Sequence, residues 1–324
     1  MRESVVETSE PWIPHRLHAM ERDWPESNCY VDVWIEILHA KALEVEAMLG
    51  FTIANDYEFD QWTFFKPKPS ELTRLYGLEI EELTIWRDLT AHVELHVTHG
   101  RIPLLEVDAF YLPDTEGRGY RESHTKTTIA VESIDPASEC LRYLHNRAGF
   151  MLGGSDYRGL LRIDPAPSPR DLMPFCEIVK VERIDHKTTD ALREIALELL
   201  QGHRARAPRS NPISRYAAAV DADLEMLLEN PAETFDPYAF ASIRQCGSGF
   251  ALAADHLDWL GQGQPAWSEA SACFRIISRR SSALVLNMAR IAHSGRRRDL
   301  SGPLGEMAAA WDRGMTALDR ALSQ

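Results

Sequence analysis

The sequence predicts an α+β domain followed by an all-helical one, on three observations. Strand-like runs bounded by turn residues crowd between residues 102 and 183. From about Asp185 onward, apolar residues recur only at helical spacing. A cysteine stands near the start of the chain, where a polar loop turns into an apolar helix. The partition that follows is an α+β domain over 1–184 and a helical domain over 185–324.

In chain order, residues 1–23 read as an irregular arm packing through Trp12, Ile13 and Leu17. Ser27 and Asn28 are both suited to cap a helix, and Pro25 discourages an earlier start. Tyr30, Val33, Trp34, Ile37 and Leu38 then give that helix one apolar face. Leu43 to Leu49 suggests a short helix ended by Gly50, and Phe51 to Phe65 an extended segment, most strand-like at Trp62–Phe65. Helices are expected from Ser70 to Tyr76 and from Arg87 to His99, stopped by Gly77 and Gly100. Strands are expected at Ile102–Phe110, Thr125–Val131, Cys140–Leu144 and Glu177–Arg183, with a polar loop from Thr115 to Ser123 and another from Gly149 to Leu161. The helical half reads as Ala191–Leu200, Arg215–Leu228, Pro237–Leu260, Ser268–His293 and Leu304–Leu322, with His203–Arg209 a basic linker.

Composition narrows the class. At 324 residues with 44% apolar and 26% charged residues, the chain suits a globular protein with a substantial core. No apolar run approaches the ~20 residues of a membrane span, and the N-terminus lacks signal-peptide character, so no membrane association is expected. The five cysteines are odd in number and widely spaced, without a CxxC pair, which fits a reducing cytoplasm better than a disulfide framework. A formal net charge of −14 argues against non-specific nucleic-acid binding.

Cys29 would lie in the first turn of its helix, where free N–H groups and the helix dipole favour thiolate. The same residue also reads as one more small core side chain. A cysteine nucleophile needs a histidine to take its proton and a polar group to orient that histidine. His124 opens a strand beside a polar loop, and the hairpin partner ends in His145-Asn146, so antiparallel pairing would bring Asn146 near His124. Cysteine on a helix N-terminus, histidine on one strand and Asn on the next is the papain-like arrangement. In that reading Cys29 is the nucleophile, His124 the base and Asn146, or else His145, the orienting group. The backbone N–H of Cys29 and the side chain of Asn28 would meet the oxyanion. Asp108 needs a partner if buried, with Lys126 or Arg121 available, or it could hold a substrate ammonium.

Asn28-Cys29 before an apolar helix, the run Glu106-Val107-Asp108-Ala109-Phe110-Tyr111-Leu112-Pro113, and His124 before a strand-turn-strand resemble the butirosin biosynthesis protein H N-terminal family, which belongs with the papain-like cysteine peptidase folds. Trp24–Asp32 and Asp60–Lys66 look still more like a bacterial family of unknown function, family 1839. The first resemblance implies an acyltransferase that moves an aminoacyl group from a carrier-protein thioester to an amine. The partners would be an acyl or peptidyl carrier protein and a small-molecule amine. No cofactor would be bound beyond the phosphopantetheine arm of the donor, and Asp108 and Tyr111 would face substrate. That family usually ends the second strand with Asp, where this chain has Asn146.

Two alternatives stand beside it. One is a papain-like peptidase or amidase; the other is a non-catalytic or metal-binding protein. His92, His96 and His99 share one helix face at zinc-compatible spacing. Val93, however, occupies the place where such motifs carry Glu, so no metal is assigned. With an acidic chain, docking of an acidic carrier would fall to Arg204, Arg206 and Arg209 or to Arg296–Arg298.

Overall fold

Asn28 caps the first helix through its own side chain, which accepts from the Val31 N–H, so α1 (Cys29–Ala40) starts with Cys29 as its first helical residue. This computed structural model describes residues 12–165 and 172–324. The chain forms two compact units. The first comprises Asn28–Leu43, Lys68–His186 and the arm up to Ala19; the second comprises Met20–Ser27, Glu44–Pro67 and Lys187–Gln324. The units divide at His186, beside the expected boundary after 184. The α+β unit is nonetheless discontinuous, because residues 20–27 and 44–67 belong to the helical unit. A sequence read for local pattern carries no sign of such an exchange, which is set by long-range packing.

In the first unit, α1 is followed by α2 (Pro69–Tyr76), β1 (Glu79–Glu82), α3 (Leu89–Thr98), β2 (Ile102–Asp108), β3 (Lys126–Asp135), β4 (Cys140–His145), β5 (Ala148–Gly153), α4 (Gly154–Leu160) and β6 (Cys176–Lys180). The six strands make one sheet in the order β1-β6-β2-β3-β4-β5, antiparallel at every pairing. Two strands exceed expectation. β1 reads Glu-Ile-Glu-Glu, too short and charged to register as a strand, and it exists because β6 pairs with it. The expected loop over 149–161 is β5 and α4, since Gly149 and Gly153 adopt extended pairing with β4. Gly77 ends α2 at φ 73°, where a Cβ would lie 2.0 Å from the Arg183 carbonyl.

The sheet's two faces differ. Leu105, Val107, Ile129, Val131, Tyr143 and Ile178 pack with Leu89 and Val93 of α3 and with Tyr157 and Leu160 of α4 in one apolar core. Register puts Leu104, Glu106, Asp108, Lys126, Thr128, Ala130 and Leu144 on the opposite face, which α1 covers by packing on β3 and β4. Every residue of α1 from Tyr30 to Leu38 is buried, Asp32 and Glu36 included. The arm supplies their partners: Trp12 Nε1 donates to Glu36 at 2.9 Å, the His15 N–H donates at 3.0 Å, and His18 lies between Glu36 (2.5 Å) and Asp32 (3.5 Å). Burial alone would lower the His18 pKa, but the hydrogen bonds and charges of Asp32 and Glu36 outweigh it and raise the value to about 9. Leu17 is buried as expected; Ile13 is exposed, its carbonyl accepting from His39.

The second unit is helical, with α5 (Thr189–Arg206), α6 (Pro212–Glu229), α7 (Pro231–Ala239), α8 (Gln245–Gly261), α9 (Pro265–Ser294) and α10 (Ser301–Leu322). A π-helical turn over Phe240–Arg244 joins α7 to α8, and Ala241 there gives its carbonyl to the Trp62 N–H. Phe250 meets Phe274 at 5.4 Å between α8 and α9, and Gly314 lets α10 close on Phe274. The stretch expected to be extended over 51–65 is a 3-10 helix at Val45–Ala54 and then one isolated bridge, Tyr57 to Trp62. The expected basic linker is largely the end of α5, which runs on to Arg206.

Candidate active site

Cys29 is half-buried at the N-terminus of α1, where its N–H and that of Tyr30 have no acceptor within the helix. Its sulfur sits above the sheet, donating to Thr128 Oγ1 at 3.7 Å. Beside it, the Tyr30 hydroxyl donates to Glu177 at 2.7 Å, and burial together with that carboxylate pushes the phenol pKa up. Among the other cysteines, burial drives Cys176 and Cys246 up to about 12, and burial together with Asp135 raises Cys140.

His124 lies in the loop just before β3. Its Nδ1 is 2.6 Å from Asp108 Oδ2, and its ring stacks on Phe110, centroids 4.5 Å apart at 15°. Asp108 is the last residue of β2 and is itself pinned, Oδ1 accepting from the N–H groups of Phe110 (3.0 Å) and Thr125 (3.2 Å). A carboxylate on Nδ1 fixes that nitrogen as the donor and leaves Nε2 with its lone pair. Nε2 makes no hydrogen bond among the described residues, and the side chain is 70% exposed. Asp108 pairs with Lys126 and Glu106 with Thr128 across β2 and β3. The Asp108 row and the Thr128 row below Cys29 are therefore two residues, about 7 Å, apart along the same face. Lys126 Nζ holds Glu106 at 2.8 Å between them.

The group oriented toward His124 is thus Asp108, not Asn146. Asn146 starts the two-residue turn between β4 and β5 with φ 48°, and it makes no hydrogen bond to His124. His145 points to the other face of the sheet, buried, with Nδ1 2.6 Å from Asp114 Oδ2 and Nε2 2.7 Å from Thr127 Oγ1. Asp114 also accepts from the Tyr143 hydroxyl at 2.5 Å. Side chains alternate across a strand, so His145 cannot serve a thiol on the α1 face. Asn28 spends its Oδ1 on the helix cap. Tyr111 packs against Gly159 and lines a pocket with Phe110, Arg121, Gly154, Ser155, Arg158 and Asp164. Of the partners expected for Asp108, Lys126 goes to Glu106 and Arg121 to Asp156.

Sequence reasoning missed Asp108 as the histidine's partner, although it singled out both residues; only the β2–β3 register joins them. Asp114 went unnoticed, because a lone Asp after Leu-Pro has the look of a turn residue.

The three helical histidines disperse. His92 is buried with Nε2 3.5 Å from Cys176 Sγ, His96 meets His92 at 4.7 Å with the rings tilted by 59°, and His99 caps α3 with Nδ1 on the Leu95 carbonyl. Their expected solvated face is thus partly a packed one, and burial lowers the pKa of His92 and His96. Among the described residues no group of three or more potential ligands could hold a metal ion, and no helix is long and apolar enough to cross a membrane. The basic clusters are partly neutralised: Arg204 grips Asp319 at 2.7 Å through two nitrogens, and Arg297 reaches Glu225 at 3.0 Å.

Residues 13–181 match the model of the DUF1839 N-terminal domain, and residues 189–320 match that of the DUF1839 C-terminal domain. Comparison with curated proteins gives no match.

Proposed function

We propose that this chain, which belongs to the DUF1839 family, is a cysteine-dependent acyltransferase of papain-like layout, moving an aminoacyl group from a carrier-protein thioester to an amine through a thioester on Cys29. The observation that carries this reading is the Asp108–His124 pair. It is a histidine with Nδ1 anchored and Nε2 open, held by an aspartate that shares a register face with Thr128, on which a cysteine at a helix N-terminus rests.

In the first half-reaction His124 Nε2 takes the Cys29 proton, directly or through one water across the row between them. The thiolate attacks the thioester carbonyl, the bond to the pantetheine sulfur breaks, and that sulfur leaves with the proton from His124. The helical N–H of Cys29 meets the oxyanion. In the second half-reaction the amine attacks the Cys29 thioester, a C–N bond forms and the C–S bond breaks, and the proton lost by the nitrogen passes by way of His124 to the Cys29 sulfur. Exchange of one thioester for another is nearly isoenergetic, so the cysteine relay stores the acyl group without loss. The donor class comes from the likeness of Asn28-Cys29 and Glu106–Pro113 to butirosin-type acyltransferases.

The test is intact-mass spectrometry after incubation with an aminoacylated carrier protein. Wild type should gain one aminoacyl mass on Cys29, and Cys29→Ala should gain none and leave the donor unconsumed. A wild-type chain that ignores the carrier but hydrolyses peptides would assign an amidase in its place.

A further inference from the structure

The pocket of about 440 Å³ beside the His124–Asp108 pair belongs to no step assigned above. Phe110 links the two: one side chain both stacks on the His124 imidazole and lines the pocket. Phe110 and Tyr111 give the pocket an apolar part, edge to face at 5.1 Å, and Tyr111 is fixed because Gly159 leaves room only for its ring. Arg121, held on Asp156 at 2.5 Å and Ser155 at 2.9 Å, closes over the Phe110 and Tyr111 rings.

Two charged groups line the rest. Arg158 is held through Nε alone, which donates to both Glu139 oxygens at 2.9 Å. Its two terminal Nη groups make no hydrogen bond among the described residues. A guanidinium fixed by its Nε edge presents the paired Nη edge in the geometry that grips a carboxylate bidentately. Asp164 lines the same pocket, and its carboxylate makes no hydrogen bond among the described residues. Fork, carboxylate and aromatic wall together match the three parts of an α-amino acid with an apolar side chain: carboxylate, ammonium and body.

We infer that this pocket is a binding site for a free apolar or aromatic α-amino acid. Arg158 holds its carboxylate, Asp164 its ammonium, and Phe110 and Tyr111 its side chain.

The experiment is calorimetric titration of the full-length Cys29→Ala chain with L-phenylalanine, L-phenylalaninamide and 3-phenylpropionate. L-phenylalanine should bind at least tenfold tighter than the amide, which has no carboxylate, and tighter than 3-phenylpropionate, which has no ammonium. Arg158→Gln should erase the preference over the amide, Arg158→Lys should restore part of it, and Asp164→Asn should erase only the preference over 3-phenylpropionate. Unchanged melting temperatures would confirm that each variant is folded. Equal affinity for L-phenylalanine and its amide in the Cys29→Ala chain, or discrimination that survives Arg158→Gln, would overturn the assignment. Binding as described together with failure of Cys29 to become acylated would sink the transferase reading and leave the pocket standing. Acylation of Cys29 without ligand discrimination would do the reverse.

Discussion

Two histidine–aspartate pairs stand at the same end of β3, and they are built alike. His124 and His145 each hold a carboxylate on Nδ1 at 2.6 Å. They differ in what remains. His145 has its second nitrogen on Thr127, and its aspartate is shared with Tyr143, all of it sealed in the sheet's apolar side. His124 has its second nitrogen open to solvent, and its Asp108 shares a register face with Thr128, the partner of Cys29. A fully satisfied buried pair contributes rigidity, whereas a pair with one site left over has a proton position to offer. What distinguishes a catalytic dyad from a structural one is therefore the unspent valence and the face, not the pair itself. His18 makes a third case: between Asp32 and Glu36 it is satisfied by charge, and it ties the arm to α1.

The largest effect that separates the pairs is on chemistry. His124→Ala should slow acylation and iodoacetamide labelling of Cys29 by about 10²–10⁴-fold while the far-ultraviolet circular dichroism is unchanged. A matching loss from His145→Ala would erase the distinction.

Next in size is a pH effect at His18. Its imidazolium persists in the folded chain up to about pH 9, whereas an unfolded histidine gives up its proton near 6.5. The stabilisation is then complete below pH 6.5 and drains away as pH rises to 9, by up to about 3 kcal/mol. Urea denaturation at pH 6, 7.5 and 9 measures it, and His18→Gln should flatten the slope. A slope that persists in His18→Gln would place the titrating group elsewhere.

His145→Ala should cost about 2 kcal/mol in a urea melt, since Asp114 and Thr127 lose a buried partner, with Cys29 labelling close to that of wild type. The smallest expected change is that of Asn146→Ala, set against Asp108→Asn. The amide can donate to Nδ1 and hold the ring in the wrong tautomer, so a loss of up to about 10⁴-fold in Cys29 acylation is expected, against no change for Asn146→Ala. Equal effects from the two would return the orienting role to the hairpin turn.

Local chemistry was legible without any structure. Ser27 or Asn28 as a cap, Cys29 in the first helical turn, the succession of strands β2, β3 and β4 along the chain, and the strand-free character of 185–324 follow from side-chain type and spacing, which act within a few residues. So did the choice of His124 and Asp108 as residues needing partners. Everything that depended on which distant residues meet was decided by the tertiary structure. The β2–β3 register gave Asp108 to His124, and strand alternation sent His145 to the far face. A weak acidic segment became β1 only because β6 offered it an edge. Residues 20–27 and 44–67 left the first unit for the second. Caps and periodicity are set by interactions inside one element, whereas register and face are set by burial summed over the whole sheet, and one residue of slip would exchange every partner.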